Sequence, residues 1–128
     1  MDIFKGGLIA SPLKPVYEKV RKMSKKYAWT WNIKEECIDE YVKLHANVWE
    51  KVLQEHTAAG IKNYSVFQKK NHFFYVYECD DIDYTLKFIA NSEACQEWDA
   101  ITSKMVEGSF DWCDSGSFEF MEEIFYLE

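Results

Sequence analysis

The chain has 128 residues, 48% of them apolar and 17% aromatic, which suits one domain with a real core and excludes disorder for its body. The net charge of −7 is uneven: residues 14–26 carry +5, while residues 27–128 carry −12. An acidic body of this kind repels phosphate backbones and anionic membranes, so neither nucleic acid nor a membrane is expected as a partner.

Residues 1–25 read as an N-terminal extension, a tail or a short helix opened by Pro15. The folded domain is expected over residues 26–128. From Lys26 to Ile33, Tyr27, Trp29 and Trp31 alternate with Ala28, Thr30 and Asn32, the period-two pattern of a strand. Glu35 to His56 reads as one long helix with Glu35 and Glu36 in its first turn, and Gly60 as its C-terminal stop. A second strand runs from Ile61 to Lys69, with Tyr64, Val66 and Gln68 on one face. Lys70-Asn71 is a tight turn. His72 to Cys79, dense in aromatics, is a central strand. Ile82 to about Val106 is helical in two pieces, recapped at Asn91-Ser92. Gly108 to Ser117 is a loop, and Phe118 to Leu127 a last strand.

Cys37, Cys79, Cys95 and Cys113 show neither a Cys-x-x-Cys nor a zinc spacing. Reduced cysteines and the lack of a signal-like segment point to the cytoplasm. The element order predicts an α+β fold of ferredoxin-like βαββαβ type: an antiparallel four-stranded sheet with helices on one face. Both faces of that sheet are apolar, so a homodimer through the free sheet face is expected.

Tyr41, His45 and Trp49 are four residues apart and form one helical stripe. With Tyr64 and Trp98 they can wall a pocket in which indole stacks on sugar C–H faces and hydroxyls meet polar atoms. An imidazole there is a competent acid or base at neutral pH. The other reading of the stripe is core packing. His56 and His72 fall on other surfaces in this reading, which leaves His45 without partner ligands for a metal.

Tyr41-x-x-x-His45-x-x-x-Trp49, Asn63-Tyr64, Cys95-Gln96-x-Trp98 and Glu123-Ile124-Phe125-Tyr126-Leu127 occur in order. Through them the chain from about Lys26 to Leu127 resembles the L-rhamnose mutarotases. The resemblance implies a dimeric α/β barrel and a cofactor-independent isomerase that interconverts the anomers of a monosaccharide, L-rhamnose or a related sugar. It makes His45 the proton donor and Tyr41, Tyr64 and Trp98 sugar contacts. Asp99 stands where the family has a second tryptophan, and Asn47 and Glu50 stand where it has prolines. The base is left among Asp99, a bound water and His45 acting in turn, with Glu78 a further candidate. The competing reading is a non-catalytic small-ligand-binding dimer of the same fold.

Overall fold

The computed structural model describes residues 25–108 and 119–128. All of the expected extension except Lys25, and the loop from Ser109 to Ser117, lie outside the described residues. Three antiparallel strands form the sheet: β1 (Lys25–Asn32), β2 (Lys62–Lys69) and β3 (His72–Cys79), in the order β1-β3-β2. Their aromatic and β-branched residues favour a pleated, packed surface. The pleat sorts them: Trp29 pairs with Tyr75, Tyr27 with Tyr77 and Trp31 with Phe73, all on the inner face. The Trp29 and Tyr75 rings stack at 5.1 Å and 4°. Trp29, Phe73, Tyr75, Tyr77 and Cys79 are buried there, whereas Phe74, Val76 and Glu78 on the outer face are only half-buried.

One irregularity in the ladder matters for the site. Lys62 pairs with Glu78 and Ser65 with Val76, so one extra residue is inserted between them. Asn63 takes it up with φ 51°, a left-handed conformation that asparagine tolerates better than most residues. The bulge turns Tyr64 onto the inner face, where its ring meets Tyr77 at 5.3 Å. The β2–β3 hairpin closes over Lys70-Asn71, as expected, with φ 57° at Lys70.

Among the described residues four helices cover the inner face. The single helix expected over Glu35–His56 is instead a 3-10 turn (Glu35–Cys37), α1 (Ile38–Ala46) and α2 (Glu50–Ala58). Asn47 (φ −139°, ψ 57°) and Trp49 (φ −57°, ψ 135°) leave helical geometry between them. At the far end of α2 the Gly60 N–H donates to the Thr57 carbonyl and the Ile61 N–H to the His56 carbonyl, with Gly60 at φ 90°. This is the paired-bond stop that glycine favours.

The second helical region is split as expected, into α3 (Ile82–Asn91) and α4 (Glu93–Thr102). Asp81 caps α3 by accepting from the Tyr84 N–H at 3.1 Å, and Ser92 caps α4 by accepting from the Cys95 N–H at 3.2 Å. The buried Thr85 hydroxyl of α3 donates to the Ala59 carbonyl at 2.7 Å and fastens the two helix pairs together. A 3-10 turn (Ser103–Met105) leads back to the sheet, where Ile33 bridges Val106.

The strand expected over Phe118–Leu127 does not join the described sheet. Residues 119–128 make no ladder, although the Met121 N–H donates to the Ala28 carbonyl at 2.7 Å on the outer side of β1. Phe120 packs on Tyr27 and Trp29. Ile124, Phe125 and Leu127 are 90%, 70% and 80% exposed, so the apolar groups that would hold a fourth strand down find little of this chain to pack on.

The bulge gives a test. Replacing Asn63→Val puts a β-branched residue in a left-handed conformation and is expected to cost about 1–2 kcal/mol in urea unfolding, while Asn63→Gly stays within about 0.5 kcal/mol of the parent. Equal stability of the valine and glycine variants would contradict the role given to this backbone position.

Candidate active site

Between α1, α2, β2 and α4 lies a cavity of about 460 Å³, in the size range of small-molecule sites. His45, His56, Tyr64 and Trp98 line it, and Val48, Val52, Leu53, Ile61 and Val66 supply its apolar wall.

His45 stands in the last turn of α1. Its Nδ1 lies 2.8 Å from the Tyr41 carbonyl four residues back. A carbonyl only accepts, so Nδ1 carries the proton and the neutral ring keeps its free lone pair on Nε2. Burial lowers the pKa of His45 from the usual value, and the bond to the Tyr41 carbonyl pulls it partly back up. The resting ring is therefore a neutral base at pH 7. Its edge meets Trp98 at 5.5 Å and 72°, and the Tyr41 ring backs it at 4.4 Å.

Tyr41 itself is buried and does not line the cavity. Its hydroxyl is 2.6 Å from that of Tyr75, and its ring packs edge-on against Phe73. Burial pushes its pKa up to about 12; the Tyr75 bond opposes this and the Asp99 charge adds to it. Burial and then Tyr41 likewise raise Tyr75. Tyr64 is 39% exposed, yet desolvation, followed by the phenols of Tyr41 and Tyr77 and the charge of Asp99, raises its pKa. The hydroxyl end of Tyr64 thus belongs to the tyrosine cluster, and the ring turns its open side to the cavity.

Of the residues expected from sequence, the structure brings His45, Tyr64 and Trp98 together. Trp49 is not part of the stripe with Tyr41 and His45, because the helix breaks before it; its ring packs edge-on against Trp98 at 5.2 Å, behind the cavity wall. Asp99, on α4 beside Trp98, is half-buried and reaches the site through its charge rather than as a lining group. Glu78 lies on the outer face, opposite Lys26 and Lys62 in the ladder, away from the cavity.

His56 corrects the sequence reading, which set it on another surface: it lines the same cavity as His45. Spacing along one helix does not carry this placement, because the helix breaks between the two histidines; it comes from how α1 and α2 pack. His72 does lie elsewhere, exposed and bonded to Asn32 at 2.6 Å.

Among the described residues no group of three or more His, Cys, Asp or Glu side chains converges as a metal site, and no helix is long and apolar enough to cross a membrane. Cys37, Cys79 and Cys95 are free thiols, and Cys113 lies outside the described residues.

Comparison with known proteins bears on the family and the fold. The family model of the L-rhamnose mutarotases matches residues 26–127. The chain is 26% identical to an L-rhamnose mutarotase of Pectobacterium carotovorum over 102 residues, covering 79% of this chain and 96% of that protein. It is 36% identical over 73 residues to a UPF0734 protein of Dictyostelium discoideum, covering 54% of this chain and only 58% of that protein. In fold it resembles the crystal structure of an L-rhamnose mutarotase from Formosa agariphila, with a TM-score of 0.63, 19% identity, and coverage of 81% of this chain and 99% of that one. A conserved protein from Methanosarcina mazei Go1 superposes with a TM-score of 0.54 at 19% identity, covering 70% of this chain and 88% of that one. With the family match running through the sheet, the helices and the cavity between them, this chain belongs to the L-rhamnose mutarotase family.

Proposed function

We propose that the protein interconverts the α and β anomers of L-rhamnose or a related sugar by general acid–base opening of the pyranose ring. The observation that carries this reading is the fixed tautomer of His45 in a cavity with aromatic walls. Trp98 and Tyr64 offer faces for sugar C–H groups, and the one free imidazole nitrogen of His45 is an acceptor at neutral pH.

The steps balance with a single imidazole. Nε2 of His45 takes the proton from the O1 hydroxyl. The imidazolium formed gives that proton to the ring oxygen O5 as the C1–O5 bond breaks, leaving the open-chain aldehyde. The aldehyde rotates about C1–C2, and O5 adds to the other face of C1. His45 takes the O5 proton and returns it to the new O1. Both oxygens are bonded to C1, so one nitrogen serves both. His45 thus acts as base first and acid second, and Asp99 is left to act through its charge. The sequence asks for no metal or nucleotide. Tyr41 positions the imidazole rather than the sugar.

We also read the working form as a homodimer in the cytoplasm. Phe67 on the outer sheet face is 60% exposed, and Ile124, Phe125 and Leu127 near the C-terminus are 90%, 70% and 80% exposed; a second copy would cover them and complete a four-stranded, barrel-like arrangement. Free buried thiols fit a reducing compartment.

Saturation-transfer NMR of anomer exchange, with L-rhamnose and then other 6-deoxy and common hexoses, is the test. Protein-dependent exchange is expected, and His45→Ala should lower it by about 10²- to 10⁴-fold with the fold intact. No acceleration of any sugar would favour the non-catalytic binding module of the same fold. For the wild type, kcat/KM should fall only on the acid side of the ordinary histidine range, as the lowered pKa of His45 is crossed and its base form is lost; a profile that rises as the pH falls would remove His45 from the base role. Sedimentation of the full chain at micromolar concentration should give the mass of a dimer, and a monomer mass would remove the assembly from the proposal.

A further inference from the structure

One imidazole suffices for the anomeric chemistry, yet the cavity holds two. Three contacts set the ring of His56, which stands in the last turn of α2. Its Nδ1–H donates to the Val52 carbonyl at 2.8 Å. Its face lies nearly parallel to the Tyr64 ring, at 5.9 Å and 18°. The sulfur of the buried Cys95 is 3.8 Å from the same Nδ1. With Nδ1 committed, Nε2 is an acceptor, and burial favours the neutral form that keeps it one.

The surroundings give that acceptor its meaning. Val52, Leu53, Ile61 and Val66 line the cavity around it and have no side-chain hydrogen-bonding groups. Beside these, the lining side chains able to hydrogen-bond are His45, His56, Thr57, Tyr64 and Trp98, so a hydroxylated ligand finds few polar partners there. An oriented acceptor in such a wall rewards a ligand that carries a hydroxyl at the matching position. It also penalises one that lacks it, because the acceptor is then buried unpaired. The stacked Tyr64 lines the same cavity, so contact with the sugar by one ring fixes the other.

We propose that His56 is a specificity-determining residue of the sugar site, whose Nε2 accepts a hydrogen bond from a ring hydroxyl away from C1. This rests on the mutarotase reading of the cavity. His45 works at O1 and O5, and His56 selects which sugar is presented to it. The occupant is a polyhydroxylated pyranose, held by stacking on Trp98 and Tyr64 and by one directional bond to His56.

The test compares anomer-exchange kinetics of the full-length wild type, His56→Leu and His56→Gln. The probes are the sugar that the wild type accelerates most and its 2-, 3- and 4-deoxy analogues. Leucine removes the acceptor; glutamine keeps one in its Oε1 but cannot shuttle a proton as an imidazole does. The wild type should show a KM about tenfold higher for one analogue than for the parent sugar. His56→Leu should raise KM for the parent by about the same factor, leave KM for that analogue unchanged, and keep kcat within about threefold. His56→Gln should recover most of the loss. A KM pattern in His56→Leu identical to that of the wild type overturns the proposal. So does an equal loss on every sugar, which marks a structural role, or a kcat lowered by about 10²-fold or more in both His56→Leu and His56→Gln, which marks proton transfer. If the wild type accelerates no sugar, the mutarotase reading fails first and this inference with it. Acceleration by the wild type with an unaltered KM pattern in the variant removes His56 alone.

Discussion

A single buried hydrogen bond, 2.6 Å between the hydroxyls of Tyr41 and Tyr75, joins the first helix to the central strand. Its net contribution is about 0.5–1.5 kcal/mol, but losing one partner strands the other phenol in the core at a cost of about 1–3 kcal/mol. The cost of losing it is what gives the bond its weight. Tyr75 stacks on Trp29 and so carries β1 with it. Tyr41 presents its carbonyl to Nδ1 of His45 and its ring to the back of the imidazole. The residue that pins α1 to the sheet therefore also sets the tautomer and the aim of the proposed base. Fold and site share one anchor.

The break between α1 and α2 is the second constraint. A continuous helix would carry Tyr41, His45 and Trp49 along one stripe and make all three cavity residues. Breaking it at Asn47–Trp49 leaves two short helices, each with a histidine in its last turn bonded to the carbonyl four residues back. Trp49 turns onto Trp98 instead. Both imidazoles are then held by their own helix and face one space. The apolar period runs through the break, and residues 35–56 contain neither proline nor glycine, so local propensity could not announce it. Glu50 occupies the first position of α2, where proline is at home and where the resembling family carries one. Here the break persists without it, held by the packing of Trp49 on Trp98 and by the non-helical backbone of Asn47.

What was legible in the sequence was local. Period-two aromatics marked β1 and β3, Gly60 marked the end of α2, Ser92 marked the new cap, and Lys70-Asn71 marked the hairpin, because each follows from one residue's conformational preference or from a pleat. The long-range facts were not legible. That Asn63 opens a bulge depends on the register against β3, which no local pattern of β2 encodes. For Glu78 the sequence offered two readings, a further candidate base and, ahead of it, a partner for a lysine; the ladder sets it on the outer face opposite two lysines. The alternation of residues 118–127 suggested a strand, but a strand also needs an edge to pair with and a surface to cover. Among the described residues Phe120 packs on Tyr27, Lys26 stands over the Tyr126 ring and the Met121 N–H reaches Ala28, but no ladder forms.

The electrostatics divide the labour among the polar groups. Two causes act on His45 in opposite senses, burial lowering its pKa and the Tyr41 carbonyl raising it. Burial is the larger of the two, so the ring rests neutral and ready to accept a proton. Asp99 acts elsewhere: its charge falls on Tyr41 and Tyr64 and raises both. Burial is the main cause at both phenols and the Asp99 charge adds to it, so they remain neutral hydroxyls at every physiological pH. Phenols in that state hold and orient but do not deliver protons. In the proposed reaction these phenols hold and orient, and the imidazole moves the proton.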